Sequence, residues 1–386
     1  MNTQPIGVMG CLPKLPDSFP IYTPENSGNM VHANAPLLMY PNSIYSSDAH
    51  IKLSGQGSFR PFVNNSCSHL IVTLANMLIL GREDGTAYAR FQKSLEQYNK
   101  PIVVFGLGVQ ANGYDLENAT LPPEAIELVQ FLSSRASLLG VRGEYTKNVV
   151  EKLAGVKNAY VTGCPSLYSR PGMLEDLYRN SKNGIRFGRP AVNVTNLQRP
   201  IERVLLGRAI RAEHYLVEPV SRAFHDYFIR ISSRENMEVP YSMKPLKREF
   251  PDLFSEKSTI PDYFMKYYRL FRSLDSWTQF NMEHVSFTYG TRFHANMSSI
   301  LSGVPALWLT HDARTRELVE FANLPSMALE DIGQIEPEDI HKAIDFEPFF
   351  DSIGGKFESF NYYLTENGLP SIKAPFKSVL TNVSGV

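Results

Sequence analysis

Short apolar segments alternate with helical patterns along most of this chain, and this alternation constrains its fold more than any other feature. Four such segments follow one another in the first half, at residues 69–76, 101–108, 137–142 and 159–163. The stretches between them carry the spacing of amphipathic helices. Short strands that alternate with helices are typical of βαβ units and a parallel sheet. We therefore predict an α/β fold for this half of the chain.

The same alternation returns after an interruption. Residues 164–188 are rich in Ser, Arg, Gly and Asn, and we interpret them as a linker. Apolar segments and helical patterns then alternate again from residue 190 to residue 323. The prediction is two α/β units in series, an N-terminal lobe at residues 1–175 and a C-terminal lobe at 176–345. Residues 346–386 are predicted to form a helical tail that packs back on the first lobe.

Composition and charge exclude several classes of protein. The 386 residues carry 38 Lys and Arg against 39 Asp and Glu, so binding to nucleic acid through bulk positive charge is not expected. The longest apolar runs, at residues 70–80 and 102–109, are shorter than the roughly 18–20 residues of a membrane span. The first residues carry no visible secretory signal. We predict a cytoplasmic protein.

The cysteine and histidine content gives no sign of a metal site. Cys11, Cys67 and Cys164 are widely spaced, so they indicate neither a zinc motif nor a disulfide framework. Carboxylates and histidines also lack metal-ligand spacing. We predict no metal and a reducing compartment.

The strongest sign of a functional site is the segment YGTRFHAN at residues 289–296. A predicted strand ends at Gly290, and Arg292 and His294 follow in the first turn of a predicted helix. A helix start attracts anions, and an Arg there can bind a carboxylate or phosphate with two hydrogen bonds. The imidazole of His294 suits proton transfer. The alternative is an Arg and a His that decorate a helix start without any ligand.

A second candidate lies one strand later. Asp312 is placed to cap a helix, and Arg314 and Arg316 follow in its first turn, where positive charge opposes the helix dipole. Either a bound anion offsets this charge or Arg314 pairs with Glu317 three residues on. Both interpretations remain open from the sequence.

Residues at the ends of first-lobe strands are further candidates, because ligands bind beyond the carboxyl ends of parallel strands. Gly106 and Gly108 resemble part of a dinucleotide-binding turn, but the acidic residue that should follow is missing. We predict a tight turn at the edge of a cleft and no nicotinamide cofactor. Arg142 either points into the cleft or caps the next helix. Arg199, after a strand of the second lobe, is a weaker candidate of the same kind.

Together these motifs resemble the polysaccharide pyruvyl transferase family, in the order that the family has them. The matching segments are NSGN at 26–29, VVFGLGVQ at 103–110, LGVRGEYT at 139–146, VTGCPSLY at 161–168, YGTRFHANMSSILSGVPAL at 289–307 and HDARTREL at 311–318. Gly143 and Cys164 depart from the pattern. They stand where the family usually has aspartates, which can contact the acceptor or cap a helix.

The resemblance implies two Rossmann-like lobes with parallel sheets in a GT-B-like arrangement, with the site in the cleft between them. The first lobe would hold the acceptor and the second the donor. It also implies transfer of a pyruvyl group from phosphoenolpyruvate to a hydroxyl pair of a polysaccharide or its precursor, which forms a ketal and releases phosphate. The donor is doubly anionic, so the site needs several cations, and arginines can supply them without a metal or other cofactor.

Residue roles follow from the same resemblance. Arg292 would hold the carboxylate or phosphate, His294 would be the general acid, Arg314 would stabilise phosphate, and Arg142 would reach across from the first lobe. The remaining predicted substrate-binding residues are Asn29, Gly106, Gly108, Arg199, Gly290, Thr291, Asn296 and His311.

Two other functions remain open from the sequence. One is a GT-B glycosyltransferase that uses a nucleotide sugar, and the other is a catalytically silent carbohydrate-binding protein. The acceptor sugar, its linkage and the oligomeric state are not defined by the sequence, nor is whether the acceptor is free, nucleotide-linked or lipid-linked. A lipid-linked acceptor would bring the protein into peripheral contact with a membrane.

Overall fold

The computed structural model describes residues 4–15, 26–47, 58–111, 113–184, 186–217, 222–233, 238–254 and 260–375. They form two α/β lobes, each built around parallel strands, as predicted. Every pairing between the strands named below is parallel. Within the described part of the chain, no helix combines the length and the apolar character needed to cross a membrane.

The first lobe contains eight strands among the described residues. They are β1 (Ile6–Gly10), β2 (Ser43–Tyr45), β3 (Leu70–Thr73), β4 (Leu78–Ile79), β5 (Ile102–Phe105), β6 (Val109–Gln110), β7 (Leu139–Val141) and β8 (Ala159–Val161). A four-stranded sheet has the order β2-β1-β3-β5, and β4-β6 and β7-β8 form two further pairs. All residues of β3 and β5 are buried, as expected for central strands covered by helices on both faces.

Helices connect these strands. They are α1 (Gly28–Ala33), α2 (Ala35–Met39), α3 (Phe59–Ser66), α4 (Thr86–Leu95), α5 (Pro123–Ser134), α6 (Glu144–Ala154) and α7 (Pro171–Lys182). The last of these corrects the sequence analysis, because α7 lies within the predicted linker 164–188. Its two buried leucines, Leu174 and Leu177, are one turn apart and pack in the core, which a polar composition had masked.

The second lobe has one six-stranded sheet with the order β11-β10-β9-β12-β13-β14. Its strands are β9 (Arg189–Asn193), β10 (Tyr215–Val217), β11 (Tyr268–Arg269), β12 (Val285–Gly290), β13 (Ala306–Thr310) and β14 (Ser326–Ala328). Its helices are α8 (Pro200–Arg211), α9 (Arg222–Ser232), α10 (Lys244–Glu249), α11 (Ile260–Tyr267), α12 (Leu274–His284), α13 (Phe293–Ile300) and α14 (Ala313–Ala322). Short 3-10 helices occupy Pro165–Tyr168, Tyr241–Met243, Pro251–Phe254, Leu329–Gln334 and Pro337–Ala343.

The chain then returns to the first lobe through a 20-residue helix, α15 (Glu347–Glu366). The Tyr363 hydroxyl donates a 2.6 Å hydrogen bond to the carbonyl of Val104 in β5. The ring of Phe360 stacks on that of Tyr168, with the centroids 4.0 Å apart. These contacts cover the edge of the first lobe with an aromatic helix face. The domain boundaries at residues 175 and 345 stay predictions.

Candidate active site

A cavity of about 70 Å³ lies between the two lobes and is lined by both. Most of its polar lining follows the carboxyl ends of strands, where a ligand site is expected in parallel α/β sheets. The polar side chains that line it are Asn26, Asn29, Asn76 and Arg142 from the first lobe and Thr195, Thr291, Arg292, His294, Arg314 and Thr315 from the second.

The turn at Gly290 brings the second lobe's central residues to this cavity. Gly290 has a φ of +146°, and a Cβ atom there would lie 2.0 Å from the carbonyl oxygen of Asn193, so only glycine fits. The Asn193 side chain accepts a 2.7 Å hydrogen bond from the Arg292 amide and thereby anchors the start of α13. Arg292 is the N-cap residue, and the helix begins at Phe293.

The Arg292 side chain is held by the end of β9. Its Nε donates to the Val194 carbonyl at 2.9 Å, and an Nη donates to the Thr195 carbonyl at 3.4 Å. These bonds fix the guanidinium at the cavity wall. Arg292 thus lies where the sequence analysis placed it, although the backbone uses part of its hydrogen-bonding capacity.

Arg142 is a buried cation that points into the cavity. Its side chain is only 1% exposed, and Nη1 donates a 2.7 Å hydrogen bond to the Asn76 side chain. Nε and Nη2 have no hydrogen-bond partner among the residues that the structure describes. Gly108 makes room for it, because a Cβ atom there would lie 2.7 Å from the Arg142 Cδ. The sequence left open whether Arg142 points into the cleft or caps the next helix, and the structure favours the cleft.

His294 lies in the first turn of α13 and is almost fully buried. Its Nε2 is 3.3 Å from the Cys164 Sγ atom. Burial, followed by the positive charge of Arg142, lowers its pKa well below the ordinary value of 6.5, and His32 and Arg314 act in the same direction. This shift favours the neutral imidazole. The negative charges of a bound anion would offset the positive charges of the arginines and so act against the lowering of the His294 pKa.

Cys164 connects His294 to a second buried histidine. Its Sγ atom is 3.7 Å from His32 Nδ1 and 3.0 Å from the Ser166 hydroxyl. Burial, followed by Arg142, lowers the pKa of His32 to about 3. Gly106 permits this arrangement, because a Cβ atom there would lie 2.4 Å from the His32 ring. The two glycines of the predicted turn thus leave room for the side chains of His32 and Arg142.

Arg314 pairs with the residue that caps its own helix. Asp312 accepts a 2.9 Å hydrogen bond from the Thr315 amide, which confirms the predicted N-cap. The other carboxylate oxygen accepts from Nε and Nη2 of Arg314, at 2.9 and 2.7 Å. The alternative pairing of Arg314 with Glu317 is not formed. Arg314 lines the cavity with its charge partly offset.

Glu317 instead reaches the first lobe and caps α6. Its carboxylate accepts hydrogen bonds from the Thr146 amide at 3.1 Å and from the Thr146 hydroxyl at 2.8 Å. A Cβ atom at Gly143 would lie 2.6 Å from a Glu317 oxygen, so the carboxylate occupies the space of a side chain at the N-cap position. Burial raises the pKa of Glu317 to about 7.

The other predicted substrate-binding residues fall into two groups. Asn29 and Thr291 line the cavity. Three residues do not belong to its lining and bond within the second lobe. The Asn296 amide donates to the carbonyls of Gly290 and Leu307, His311 contacts Asp312 at 3.3 Å, and Arg199 contacts Glu202 at 3.5 Å.

Sequence reasoning missed several residues of the site. Asn76 and Thr195 lie within the predicted strands, whereas β3 ends at Thr73 and β9 at Asn193, so both residues fall in the loops that reach the cavity. His32 carried no signal, because it lies in a short helix whose surroundings resemble no strand-end motif. Glu202 is fully buried, and its carboxylate accepts hydrogen bonds from the Asn196 amide and the Thr291 hydroxyl beneath the cavity.

A larger recess of about 760 Å³ opens beside the cavity, also between the lobes. It is lined by aromatic rings and by side chains that donate or accept hydrogen bonds. These include Tyr114, Tyr145, Tyr160, Lys147, Asn148 and Glu320. Glu317 of α14 belongs to its lining, and Thr315 and Leu318 of the same helix line the cavity, so the recess and the cavity are neighbours.

Comparisons with known proteins accord with these motifs. The family model described as polysaccharide pyruvyl transferase matches residues 16–313. No curated protein matches the sequence. Two solved structures of the UDP-GlcNAc 2-epimerase of Methanocaldococcus jannaschii are similar to this chain. One, in complex with UDP-GlcNAc and UDP, is 10% identical, with 88% of this chain and 91% of that chain covered and a TM-score of 0.39. The other is 12% identical, with 86% and 92% covered and a TM-score of 0.38.

Proposed function

Because the chain belongs to the polysaccharide pyruvyl transferase family, we propose that it transfers the pyruvyl group of phosphoenolpyruvate to two hydroxyls of a saccharide. The product is a pyruvate ketal, and phosphate is released. The observation that carries the proposal is the buried Arg142, two of whose nitrogens have no partner among the described residues. An uncompensated buried charge is costly, so this side chain calls for an anionic ligand.

The charge around the cavity fits the donor. Arg142, Arg292 and Arg314 all line it, and phosphoenolpyruvate offers a phosphate and a carboxylate as partners. A volume of about 70 Å³ is far below the roughly 300–1,000 Å³ of sites for drug-sized ligands. A small dianion therefore suits this cavity better than a nucleotide sugar does.

His294 is the proton donor in this mechanism. Protonation of the donor's methylene carbon leaves positive charge on the adjacent carbon, which a saccharide hydroxyl attacks while losing its own proton. The bond from that carbon to the phosphate oxygen then breaks, phosphate leaves, and the second hydroxyl adds and loses a proton to close the ketal. Burial, followed by the positive charges of Arg142 and Arg314, lowers the pKa of His294, and the negative charges of the bound donor would offset the part that comes from the arginines. Donor binding should therefore favour the protonated imidazole.

The larger recess is the proposed acceptor site. Its tyrosine rings offer flat faces for a sugar ring, and its polar side chains offer partners for hydroxyls. Most of its lining, including Glu144 and Asn148, comes from the first lobe, which supports the proposal that this lobe holds the acceptor.

The test is phosphate release that requires both phosphoenolpyruvate and a saccharide, measured across a panel of polysaccharide precursors. In the same preparation, phosphoenolpyruvate at about 100 times its Kd should stabilise the protein by about 2.7 kcal/mol. Stabilisation by a UDP-sugar and not by phosphoenolpyruvate would favour a glycosyltransferase. Binding of saccharide without any phosphate release would favour a catalytically silent protein.

A further inference from the structure

Three potential metal ligands from distant parts of the chain meet beneath the cavity. His32 lies in α1, Cys164 follows β8, and His294 lies in α13. One nitrogen of each imidazole and the Cys164 sulfur all lie within 4.8 Å of one another. The sequence predicted no metal because these residues are 130 and 132 positions apart. The fold nevertheless brings the three side chains together.

The distances match a tetrahedral site. With a metal–sulfur distance of about 2.3 Å and a metal–nitrogen distance of about 2.05 Å, sulfur and nitrogen ligands of a tetrahedral ion are about 3.5 Å apart. The two sulfur–nitrogen separations here are 3.3 Å to His294 Nε2 and 3.7 Å to His32 Nδ1. The sulfur–nitrogen separations therefore fit one shared ion, and the two imidazole nitrogens lie within 4.8 Å of each other.

His32 presents one ring nitrogen to the cluster. Its side chain is fully buried, and Nδ1 lies 3.7 Å from the Cys164 Sγ atom. Its Nε2 has no hydrogen-bond partner among the residues that the structure describes. The ring therefore faces the other two ligands through Nδ1.

We propose that His32, Cys164 and His294 bind one thiophilic divalent cation, with Zn²⁺ as the reference ion. One thiolate and two imidazoles favour Zn²⁺ over Mg²⁺, which prefers oxygen ligands. Three protein ligands would leave a fourth position on a tetrahedral ion. Of the three residues, His294 also lines the cavity. Arg142 and Arg314 add positive charge nearby, so the thiolate and an anionic fourth ligand, such as hydroxide or phosphate, would balance the ion.

Metal binding would compete with catalysis. The Nε2 atom of His294 cannot hold a metal and deliver a proton at the same time, so an occupied site should block transfer. This consequence rests on the proposed function, whereas metal binding itself does not. Cys164 stands where the family usually has aspartate, so we expect this chain to be more sensitive to zinc than relatives with the carboxylate.

Metal binding is tested on the full-length protein, first stripped with a chelator and then titrated with Co²⁺ and Zn²⁺. Wild-type protein should bind one equivalent and show the thiolate-to-cobalt absorption band and the intense visible bands of a tetrahedral cobalt site. Mg²⁺ should not compete. Loss of even an indirect partner of a metal ligand typically costs 10–100-fold in affinity, so Cys164→Ser and His32→Gln should each weaken Zn²⁺ binding by more than about 100-fold.

Cys67→Ala is the matched control, since Cys67 is also fully buried but lies outside the cluster. It should bind metal like the wild type. Absence of the thiolate-to-cobalt band in wild-type protein, which needs no variant, would overturn the proposal. So would wild-type zinc affinity in a folded Cys164→Ser protein. If zinc binds but phosphoenolpyruvate is not a substrate, the metal site stands and the proposed function fails.

Discussion

The Glu317 carboxylate of the second lobe accepts a hydrogen bond from the Thr146 amide of the first lobe and thereby caps α6. An N-cap aspartate at position 143 would supply this acceptor from within the helix. Here Gly143 vacates the space, and Glu317 fills it from across the interface between the lobes. Helix capping and lobe contact are thus combined in one side chain.

This cap should make stability depend on pH. Burial raises the pKa of Glu317 from 4.5 to about 7, so between these values the folded state holds a proton that the unfolded chain has lost. The contribution of Glu317 is fully present below pH 4.5 and is lost as the pH rises to 7. At about 1.4 kcal/mol per pKa unit, the loss is about 3 kcal/mol.

Thermal unfolding of Glu317→Gln across pH 4.5–8 should show this difference, because Gln stays neutral and keeps an acceptor oxygen. The variant should match the wild type at the acid end and exceed it at pH 8. The exposed Glu358→Gln is the control. A difference between wild type and Glu317→Gln that does not change with pH would contradict the raised pKa.

Arg142→Met should separate stability from donor binding. The replacement removes a buried charge at similar volume, so the ligand-free protein should be as stable as the wild type or more so. Binding of phosphoenolpyruvate should weaken by about 10–150-fold, the equivalent of 1.5–3 kcal/mol for a hydrogen bond to a charged group. Melting temperatures with and without donor measure both effects. Arg230 is exposed, so Arg230→Met should change neither the stability of the protein nor its stabilisation by phosphoenolpyruvate. If phosphoenolpyruvate still stabilises Arg142→Met as it does the wild type, Arg142 is not part of an anion site.

His294→Gln should reduce turnover and spare donor binding. Loss of a general acid typically lowers the rate by about 10²–10⁴-fold. The stabilisation by phosphoenolpyruvate should persist, because the three arginines remain. Steady-state phosphate release gives the rate, and calorimetry gives the affinity. The half-exposed His284→Gln serves as the control. Near-normal turnover in His294→Gln would show that another group protonates the methylene carbon of the donor.

Tyr114→Ala should weaken binding of the saccharide acceptor and leave binding of phosphoenolpyruvate unchanged. Its ring packs against Tyr145 with the centroids 4.9 Å apart at the recess. Loss of one aromatic contact worth about 0.5–1.5 kcal/mol should raise the acceptor KM by about 2–13-fold. Tyr241→Ala removes a tyrosine that is 79% exposed and should leave both KM values unchanged. A change in the KM of phosphoenolpyruvate alone would show that the recess does not hold the acceptor.

Strands and helices could be predicted where the sequence has a periodic apolar pattern, but not in the first part of the chain. Strands such as β3 and β5 are fully apolar and therefore visible in the sequence. β1 contains two glycines and β2 has only three residues, so neither produced a pattern. The same holds for the residues of the site, since those next to clearly patterned strands could be predicted. Arg142 and Arg292 stand at strand ends, which parallel sheets gather at one edge.

Contacts between distant segments escaped the sequence analysis. Glu317 was considered as a partner for Arg314 within one helix, whereas the fold offers it Thr146, 171 residues away. His32 lies beside Cys164 only because Gly106 has no side chain to block the approach. Such pairs depend on how two lobes meet, and local spacing carries no information about that.

The return of α15 to the first lobe has a mechanical consequence. The polypeptide passes between the lobes twice, once between β8 and β9 and once between β14 and α15. The two passages are neighbours, because Lys182 at the end of α7 contacts Glu347 at the start of α15 at 2.8 Å. Any separation of Arg142 from Arg292 and His294 across the cavity would therefore have to bend both passages.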